Sequence, residues 1–249
     1  MSSPGFLREY FHARHPGKFR AYLIENRLAN SPLLGPRPPM RAKPSSPLRI
    51  GWFGVLRCRR SLDLLKSLAI RFGSEIEIIL RGYPDVMLPD FHERVRKHHN
   101  VRYRGRYKSP EDLQENYAAL DLVWAGDFHD AGFNSRWLLP NRLYEGGYFA
   151  VPSIAPQDSE TGRWVNERNA GFTVAEPLEE TLPALVQELL ASPDRIAEMQ
   201  TRLLGLPRDT FIQPRDEMRT VIREALSSRS DSHAVRREPT ATKAASSDC

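Results

Sequence analysis

Apolar residues divide the chain from Leu48 onward into two kinds of segment that alternate along its length. One kind is a short run of consecutive apolar residues, which indicates a buried β-strand. The other repeats apolar positions every three or four residues, which indicates a helix with one buried face. Six strands are predicted, over 48–54, 76–82, 100–105, 121–125, 151–155 and 172–174. Helices are predicted between them and in the last part of the chain, up to about Leu226.

This alternation predicts an α/β fold, because a strand, a helix and a further strand together form a parallel βαβ unit. Right-handed crossovers would join such units into a doubly wound, Rossmann-like parallel sheet. Sheets of this kind bind ligands in a crevice at the carboxyl ends of their strands. Four segments follow predicted strand ends and should line that crevice, namely 54–61, 82–84, 126–134 and 155–162.

Three segments outside this pattern divide the chain further. Residues 1–29 are predicted to be helical, with alternating apolar and basic positions and a break at Gly17. A helical hairpin that packs on a neighbour, or on a domain that is now absent, is favoured over a helix that lies on a membrane surface. Residues 30–47 contain six prolines and are predicted to be a linker. Residues 48–226 would form the Rossmann-like domain, and 227–249, without apolar periodicity, a disordered tail.

Composition narrows the functional class only in part. The 249 residues carry a formal net charge of +5, which suits a nucleic acid, an anionic membrane face or a phosphate-bearing substrate. Nucleic acid is the weakest of these, since no basic face with interleaved aromatic residues is evident. The two cysteines, Cys58 and Cys249, form no disulfide framework or metal-ligand cluster and suit a reducing compartment. With no apolar run of about 18 residues and no signal peptide, the protein is expected to be cytoplasmic.

The turn after the first predicted strand argues against several cofactors. A dinucleotide fingerprint Gly-x-Gly-x-x-Gly is missing there, because arginines fill the turn that follows Gly51 and Gly54. The sequence also contains no Walker loop, no Gly-x-Ser-x-Gly elbow and no His-Glu-x-x-His motif. We therefore predict that the protein uses no cofactor.

Arginines in this turn form the first candidate site. Arg57, Arg59 and Arg60 precede the start of a predicted helix for which Ser61 is a plausible cap. Guanidinium groups beside the free N–H groups of a helix N-terminus suit a diphosphate. The alternative is a solvated basic turn. The position of the turn at the carboxyl end of a strand favours the phosphate contact.

A carboxylate before the fifth predicted strand is the second candidate. The segment 139–149 is predicted to contain a helix that starts at Pro140 and ends at the pair Gly146-Gly147, which places Glu145 at its C-terminal end. Because helix C-termini disfavour negative charge, a carboxylate there suits a ligand that donates hydrogen bonds, such as a ribose. The alternative is a solvated side chain. Arg142 lies three residues earlier on the same face and either pairs with Glu145 or contacts a pyrophosphate.

The loop after the fourth predicted strand adds acidic and imidazole groups. Asp127, His129 and Asp130 could form half of a metal site or act as acid and base. A single histidine without a second cluster is weak evidence for a metal, and no metal is predicted. Asp127 and His129 remain candidate site residues.

The order of these features resembles the C-terminal, nucleotide-sugar-binding domain of GT-B glycosyltransferases. The similarity covers about 48–226, and its most specific part is Asn-Arg-Leu-Tyr-Glu-Gly-Gly at 141–147, followed by Val-Pro-Ser-Ile at 151–154. Further matching parts are Asn-Val-Arg-Tyr-Arg-Gly at 100–105 and Ala-Gly-Phe at 170–172. The segment 141–147 is most similar to exopolysaccharide glycosyltransferases of the succinoglycan ExoL type.

The resemblance implies roles for individual residues but assigns no catalytic one. Glu145 would bind the donor ribose, and Arg60 stands where many relatives have a phosphate-binding lysine. Arg142 would lie near the diphosphate. The candidate donor-binding residues are therefore Arg57, Arg60, Asn141, Arg142, Tyr144 and Glu145.

Two departures limit what the resemblance implies about catalysis. Retaining relatives carry another glutamate eight residues before the ribose-binding one, where it faces the sugar, and this chain has Trp137 there. The acceptor site of GT-B enzymes lies in an N-terminal domain, and the 47 residues before the first predicted strand are too few to form it. Most of that domain is therefore expected to be missing.

The resemblance implies a hexosyltransferase that moves a sugar, with glucose favoured, from a UDP-sugar donor to a lipid-linked or oligosaccharide acceptor in exopolysaccharide biosynthesis. A lipid-linked acceptor implies peripheral association with the inner face of a membrane. The alternative is a nucleotide-sugar-binding module that has no activity of its own, or that acts with a partner supplying the acceptor domain.

Overall fold

The computed structural model describes residues 1–17, 20–39, 44, 46–132 and 134–234. Its strands are β1 (Leu48–Leu56), β2 (Ile76–Pro84), β3 (Val101–Tyr103), β4 (Leu122–Trp124), β5 (Ser153–Pro156) and β6 (Gly171–Val174). Its α-helices are α1 (Arg59–Phe72), α2 (Phe91–Arg96), α3 (Leu113–Ala118), α4 (Asn134–Trp137), α5 (Asn141–Tyr148), α6 (Glu160–Arg168), α7 (Leu178–Ala191), α8 (Asp194–Gly205) and α9 (Glu217–Ala234). A π-helix lies at Phe6–His12, and 3₁₀ turns lie at Gly73–Glu75 and Arg208–Thr210.

The six strands form one parallel sheet in the order β3-β2-β1-β4-β5-β6. Each predicted strand is present, with bounds that differ by at most two residues from those predicted. The α/β, doubly wound prediction is therefore confirmed. The strand order reverses between β1 and β4, which makes the carboxyl ends of these two strands the topological switch point of the sheet.

Both faces of the sheet are buried, which explains why its strands read as continuous apolar runs. On one face, Ile50 of β1 packs in a core with Leu65 of α1 and Leu182 of α7. On the other face, Phe53 of β1 packs in a second core with Leu143 of α5. Alternate residues of one strand thus belong to two different cores, as the two-residue repeat of a strand requires.

The N-terminal segment is less helical than predicted. Its helical part is the π-helix Phe6–His12 and the residues directly beside it, whereas 20–27 have no regular secondary structure. The prediction of a helix throughout 1–29 is therefore wrong for its second half. Gly17, with a φ angle of 68°, lies just after the helix, and Leu28 instead forms a parallel bridge with Ile212.

Residues 1–213 form one compact unit, so the described part of the N-terminal segment packs on the Rossmann-like domain. The same holds for the segment predicted to be a linker. Leu34 is buried, and the Arg37 guanidinium donates to the backbone oxygens of Tyr148 and Leu206 at 3.2 and 2.9 Å. These contacts fix the described part of the proline-rich segment against the domain.

Residues 214–249 form a second unit, whose described part contains α9. The predicted helix ended near Leu226, and a disordered tail was predicted after it. The structure instead continues the helix through 227–234, a stretch without the proline or glycine that would interrupt it. The rest of the predicted tail, 235–249, lies outside the described residues.

Helix α5 differs from its prediction in a way that matters for the site. Gly146 and Gly147 lie inside the helix rather than at its end, and Glu145 is the fifth of its eight residues. The glycines are needed for close packing instead. A Cβ atom at Gly147 would lie 2.1 Å from Cε1 of Phe211, and one at Gly146 would lie 2.9 Å from Cγ1 of Val123.

Replacing Gly147 by alanine should therefore destabilise the domain although alanine favours helices. The added methyl group has no space beside Phe211, and overpacking of this kind costs about 1–3 kcal/mol. The free energy of unfolding, measured by urea denaturation, should fall by that amount. The control is Gly205→Ala, at an exposed position at the end of α8 where an added Cβ meets nothing within 4 Å. Equal stability of the two variants would contradict the packing argument.

Candidate functional site

The loops that follow β1 and β4 are tied together at the switch point. The guanidinium of Arg57 and the carboxylate of Asp127 form an ion pair across it, with 3.4 Å between Nη2 and Oδ2. The Sγ atom of Cys58 accepts hydrogen bonds from the backbone N–H groups of Ser61, at 3.4 Å, and Phe128, at 3.2 Å. Cys58 is therefore the N-cap of α1, and the prediction that Ser61 caps this helix is wrong.

Two cavities open at the carboxyl ends of the strands. The first, here the β1–β2 cavity, has a volume of about 570 Å³. Its lining includes Gly54, Arg57, Tyr107, Asn141, Arg142 and Glu145. The second, the β5–β6 cavity, has a volume of about 660 Å³. Its lining includes Arg60, Phe128, Gln157, Asp158, Arg163 and Glu176. Asp127 lines both cavities, so they meet at the switch point.

Glu145 is a buried carboxylate at the wall of the β1–β2 cavity. Only 4% of its surface is exposed, so it is not the solvated side chain of the alternative interpretation. The hydroxyl of Tyr117, on α3, donates to its Oε2 atom at 2.6 Å. Burial raises the pKa of Glu145, and the hydrogen bond from Tyr117 and the positive charge of Arg142 oppose that rise only in part. Among the residues that the structure describes, this carboxylate accepts one hydrogen bond, from Tyr117.

Arg142 connects α5 to the end of β4. Its Nε atom donates to the backbone oxygen of Trp124 at 2.9 Å, and its Nη2 atom donates to those of Ala125 and Gly126 at 3.2 and 2.8 Å. Burial lowers the pKa of this guanidinium, and the charge of Asp127 opposes that change. Arg142 therefore satisfies the last carbonyls of β4. Arg142 also lines the β1–β2 cavity, and its contact with a diphosphate stays a prediction.

Arg60, near the start of α1, lines the β5–β6 cavity. Its guanidinium pairs with Glu176 at 2.8 Å and with Glu179 at 3.2 Å, and it lies over the ring of Phe128 at 4.8 Å from the centroid. The hydrogen bonds to Glu176 raise the pKa of Arg60. Arg57 and Arg60 therefore border different cavities on the two sides of Asp127.

Comparison with known proteins gives one curated relative. The succinoglycan biosynthesis protein ExoL of Rhizobium meliloti (strain 1021) is 34% identical over 228 residues, which make up 90% of this chain. The matched part is 56% of ExoL, so the chain spans about half the length of this relative. No family model matches the chain.

Two solved structures of other proteins have the same fold. Sucrose-phosphate synthase of Thermosynechococcus elongatus has a TM-score of 0.68 at 16% identity, over 94% of this chain and 58% of its own. Anabaena HepE, solved in complex with UDP and glucose, has a TM-score of 0.58 at 17% identity, over 74% of this chain and 49% of its own. The chain is similar to ExoL in sequence, and its fold is that of GT-B glycosyltransferases.

The other predicted site residues do not all lie at the two cavities. Asn141 lines the β1–β2 cavity, whereas the Tyr144 hydroxyl donates to Glu25 at 3.1 Å and lines neither cavity described above. His129 is exposed, and its backbone N–H donates to the carboxylate of Asp127 at 2.9 Å. Among the described residues, no group of three histidine, cysteine or acidic side chains is placed to hold a metal.

Asp127 is the acidic group of the loop after β4 that lines both cavities. It is partly buried, which favours its neutral form, but the N–H of His129 and the charge of Arg142 favour the carboxylate. The hydroxyl of Ser135, at 2.9 Å, and Arg57 act in the same direction, and the pKa of Asp127 is lowered. Asp127 therefore stays charged and holds Arg57 at the switch point.

Aromatic residues of the β1–β2 cavity were missed at the sequence level. Phe53, Tyr83 and Tyr107 line it, and the ring centroids of Phe53 and Tyr107 are 6.0 Å apart. Tyr117, the partner of Glu145, was likewise missed, and it is a buried residue of α3. Nothing in the local pattern marks these residues, because they meet only when the ends of β1, β2 and β3 are aligned in the sheet.

No helix in the described part of the chain combines the length and the apolar character needed to cross a bilayer.

Glu145→Gln should change how stability depends on pH. Folding raises the pKa of this carboxyl group above its value in the unfolded chain, which is about 4.3. The free energy of unfolding therefore falls as the pH increases from the unfolded-state pKa to the folded-state pKa. The glutamine variant lacks this term. Its Tm minus that of the wild type should therefore increase between pH 4 and pH 8, while the exposed control Glu75→Gln shows no such increase. A difference that is constant or falls with pH would contradict the burial argument.

Proposed function

We propose that this chain binds a UDP-sugar and forms the donor half of a hexosyltransferase of exopolysaccharide biosynthesis. The reaction would transfer glucose to a lipid-linked or oligosaccharide acceptor at the inner face of a membrane. The observation that carries the proposal is the buried carboxylate of Glu145 on the wall of a cavity at the switch point of the sheet.

Glu145 fits a ribose because its buried carboxylate has acceptor sites available for further hydrogen bonds. A carboxylate offers about four acceptor sites, and the only donor described above is the Tyr117 hydroxyl. The two neighbouring hydroxyl groups of a ribose can both donate to a carboxylate. Such bonds would offset the cost of burying the charge, which the raised pKa of Glu145 reflects.

The aromatic wall of the β1–β2 cavity fits a nucleobase. Phe53 and Tyr107 pack against each other, and the guanidinium of Arg106 lies over the ring of Tyr83 at 4.4 Å from its centroid. A planar nucleobase gains stacking energy against such side chains, whichever polar atoms it carries on its edges. The base would then lie in the same cavity as the ribose carboxylate, as a nucleoside requires.

Arg57 and Arg60 fit the diphosphate. Both follow β1, and α1, which begins at Arg59, offers a helix N-terminus of favourable dipole next to them. The carboxylates that hold Arg60 are solvent-exposed, with 51% and 59% of the side-chain surface of Glu176 and Glu179 accessible, so a phosphate can replace them at low cost. The positive charges of Arg57 and Arg60 would stabilise the negative charge that develops on UDP as it leaves.

The relatives support the same assignment. Anabaena HepE has been solved with UDP and with UDP-glucose, and ExoL is a succinoglycan biosynthesis protein. A second candidate is a donor-binding module that lacks activity of its own or requires a partner with an acceptor site. The observation behind it is that the chain spans 56% of ExoL.

Calorimetric titration with UDP tests the donor site. The wild-type chain should bind UDP, and Glu145→Gln should weaken binding about tenfold or more. Hydrogen bonds to a charged group contribute about 1.5–3 kcal/mol, and about 1.4 kcal/mol corresponds to a factor of ten. Glu75→Gln, an exposed substitution of the same kind, should leave the affinity unchanged. Absence of UDP binding to the wild type at millimolar concentration would overturn the proposal.

An assay of UDP release separates the two candidates. The full chain is incubated with UDP-glucose and a lipid-linked saccharide, and UDP is measured. Release that depends on the acceptor supports the hexosyltransferase. UDP binding without release supports the donor-binding module.

A further inference from the structure

The β5–β6 cavity contains polar groups that neither the ribose nor the diphosphate would use. They come from three elements, namely Glu9 from the N-terminal π-helix, Arg136 from α4 and Asp158 from the loop after β5. Arg60 lines the same cavity. If Arg60 contacts the diphosphate of a UDP-sugar, the sugar lies on the side of the diphosphate away from the nucleoside and enters the β5–β6 cavity.

Glu9 is held at the cavity by Trp137, the last residue of α4. The indole Nε1 atom donates to Oε2 of Glu9 at 2.8 Å. On either side of Glu9 in sequence, Phe6 and Tyr10 pack against the indole, with ring centroids 5.6 and 6.0 Å from that of Trp137. The carboxylate is thus presented in one orientation although it belongs to an exposed part of the chain.

The segment that carries Glu9 is also anchored at two further points. The guanidinium of Arg8 pairs at 3.3 Å with the buried carboxylate of Glu160, which lines the same cavity. The hydroxyl of Ser3 donates to the backbone oxygen of Trp137. Contacts on both sides of Glu9 therefore reduce the entropy that a mobile segment would lose when a ligand binds.

We propose that Glu9 determines sugar recognition by the donor site, with Trp137 as its positioning residue. The inference rests on the proposed UDP-sugar function and names the residue that contacts the hexosyl group. A carboxylate has about four acceptor sites, of which the indole occupies one. The remaining sites accept hydrogen bonds from neighbouring hydroxyl groups of the hexose. The N-terminal segment thereby completes a cavity whose other walls come from the Rossmann-like sheet.

Calorimetry on the full chain with UDP and with UDP-hexoses separates this role from nucleotide binding. The probes are UDP, UDP-glucose, UDP-galactose, UDP-N-acetylglucosamine and UDP-glucuronic acid. Glu9→Ala should leave the Kd for UDP within about twofold and weaken the preferred UDP-hexose about tenfold, equivalent to about 1.4 kcal/mol. Trp137→Phe should weaken the same UDP-hexose by a smaller factor and spare UDP, because the ring packing remains and only the N–H donor is lost. Glu75→Ala is the control.

Three outcomes would overturn the inference. The first is equal weakening of UDP and UDP-hexose by Glu9→Ala, which would mean that Glu9 supports the fold of the site. The second is unchanged affinity for all four UDP-hexoses, which would mean that no sugar contacts Glu9. The third is a wild-type chain that binds UDP but none of the UDP-hexoses. Failure to bind UDP at all would instead remove the proposed function on which the inference rests.

Discussion

The close packing of α5 determines the positions of Arg142 and Glu145. Gly146 permits the approach of this helix to β4, because a Cβ atom there would lie 2.9 Å from Cγ1 of Val123, and Gly147 permits its packing against Phe211. Arg142 then reaches the carbonyl groups at the end of β4 from within the same helix. This packing buries Glu145 at the wall of the β1–β2 cavity rather than leaving it in solvent. The raised pKa of its carboxyl group is the electrostatic cost of that position.

The switch point of the sheet supplies the second half of the arrangement. Arg57 and Asp127 follow two strands that are neighbours in the sheet, although the two residues are 70 positions apart in the chain, and Asp127 lines both cavities. A nucleoside in one cavity and a sugar in the other would place the diphosphate beside this pair. In the proposed function, the order of parts in a UDP-sugar would match the order of groups along the strand ends, and a single extended donor would occupy both cavities.

The sequence was sufficient for the strands and their sheet, because apolar runs record burial on two faces directly. It was also sufficient to select Glu145, Arg57 and Arg60 as candidates, since strand ends are positions that a pattern can locate. Prediction from the sequence failed where the same residue pattern is compatible with two structural roles. The pair Gly146-Gly147 has the composition of a helix end but serves close packing, and Arg142 has the spacing of an ion pair but binds carbonyl groups. The contact of Glu9 with Trp137 joins residues 128 positions apart, so no local pattern could reveal it.

A crystal structure of the chain with UDP would show whether the Glu145 carboxylate binds the donor ribose. We expect both ribose hydroxyl groups within hydrogen-bond distance of that carboxylate, the base against Tyr107 and the diphosphate beside Arg57 or Arg60. UDP bound elsewhere, or bound in this cavity with its ribose away from Glu145, would contradict this expectation.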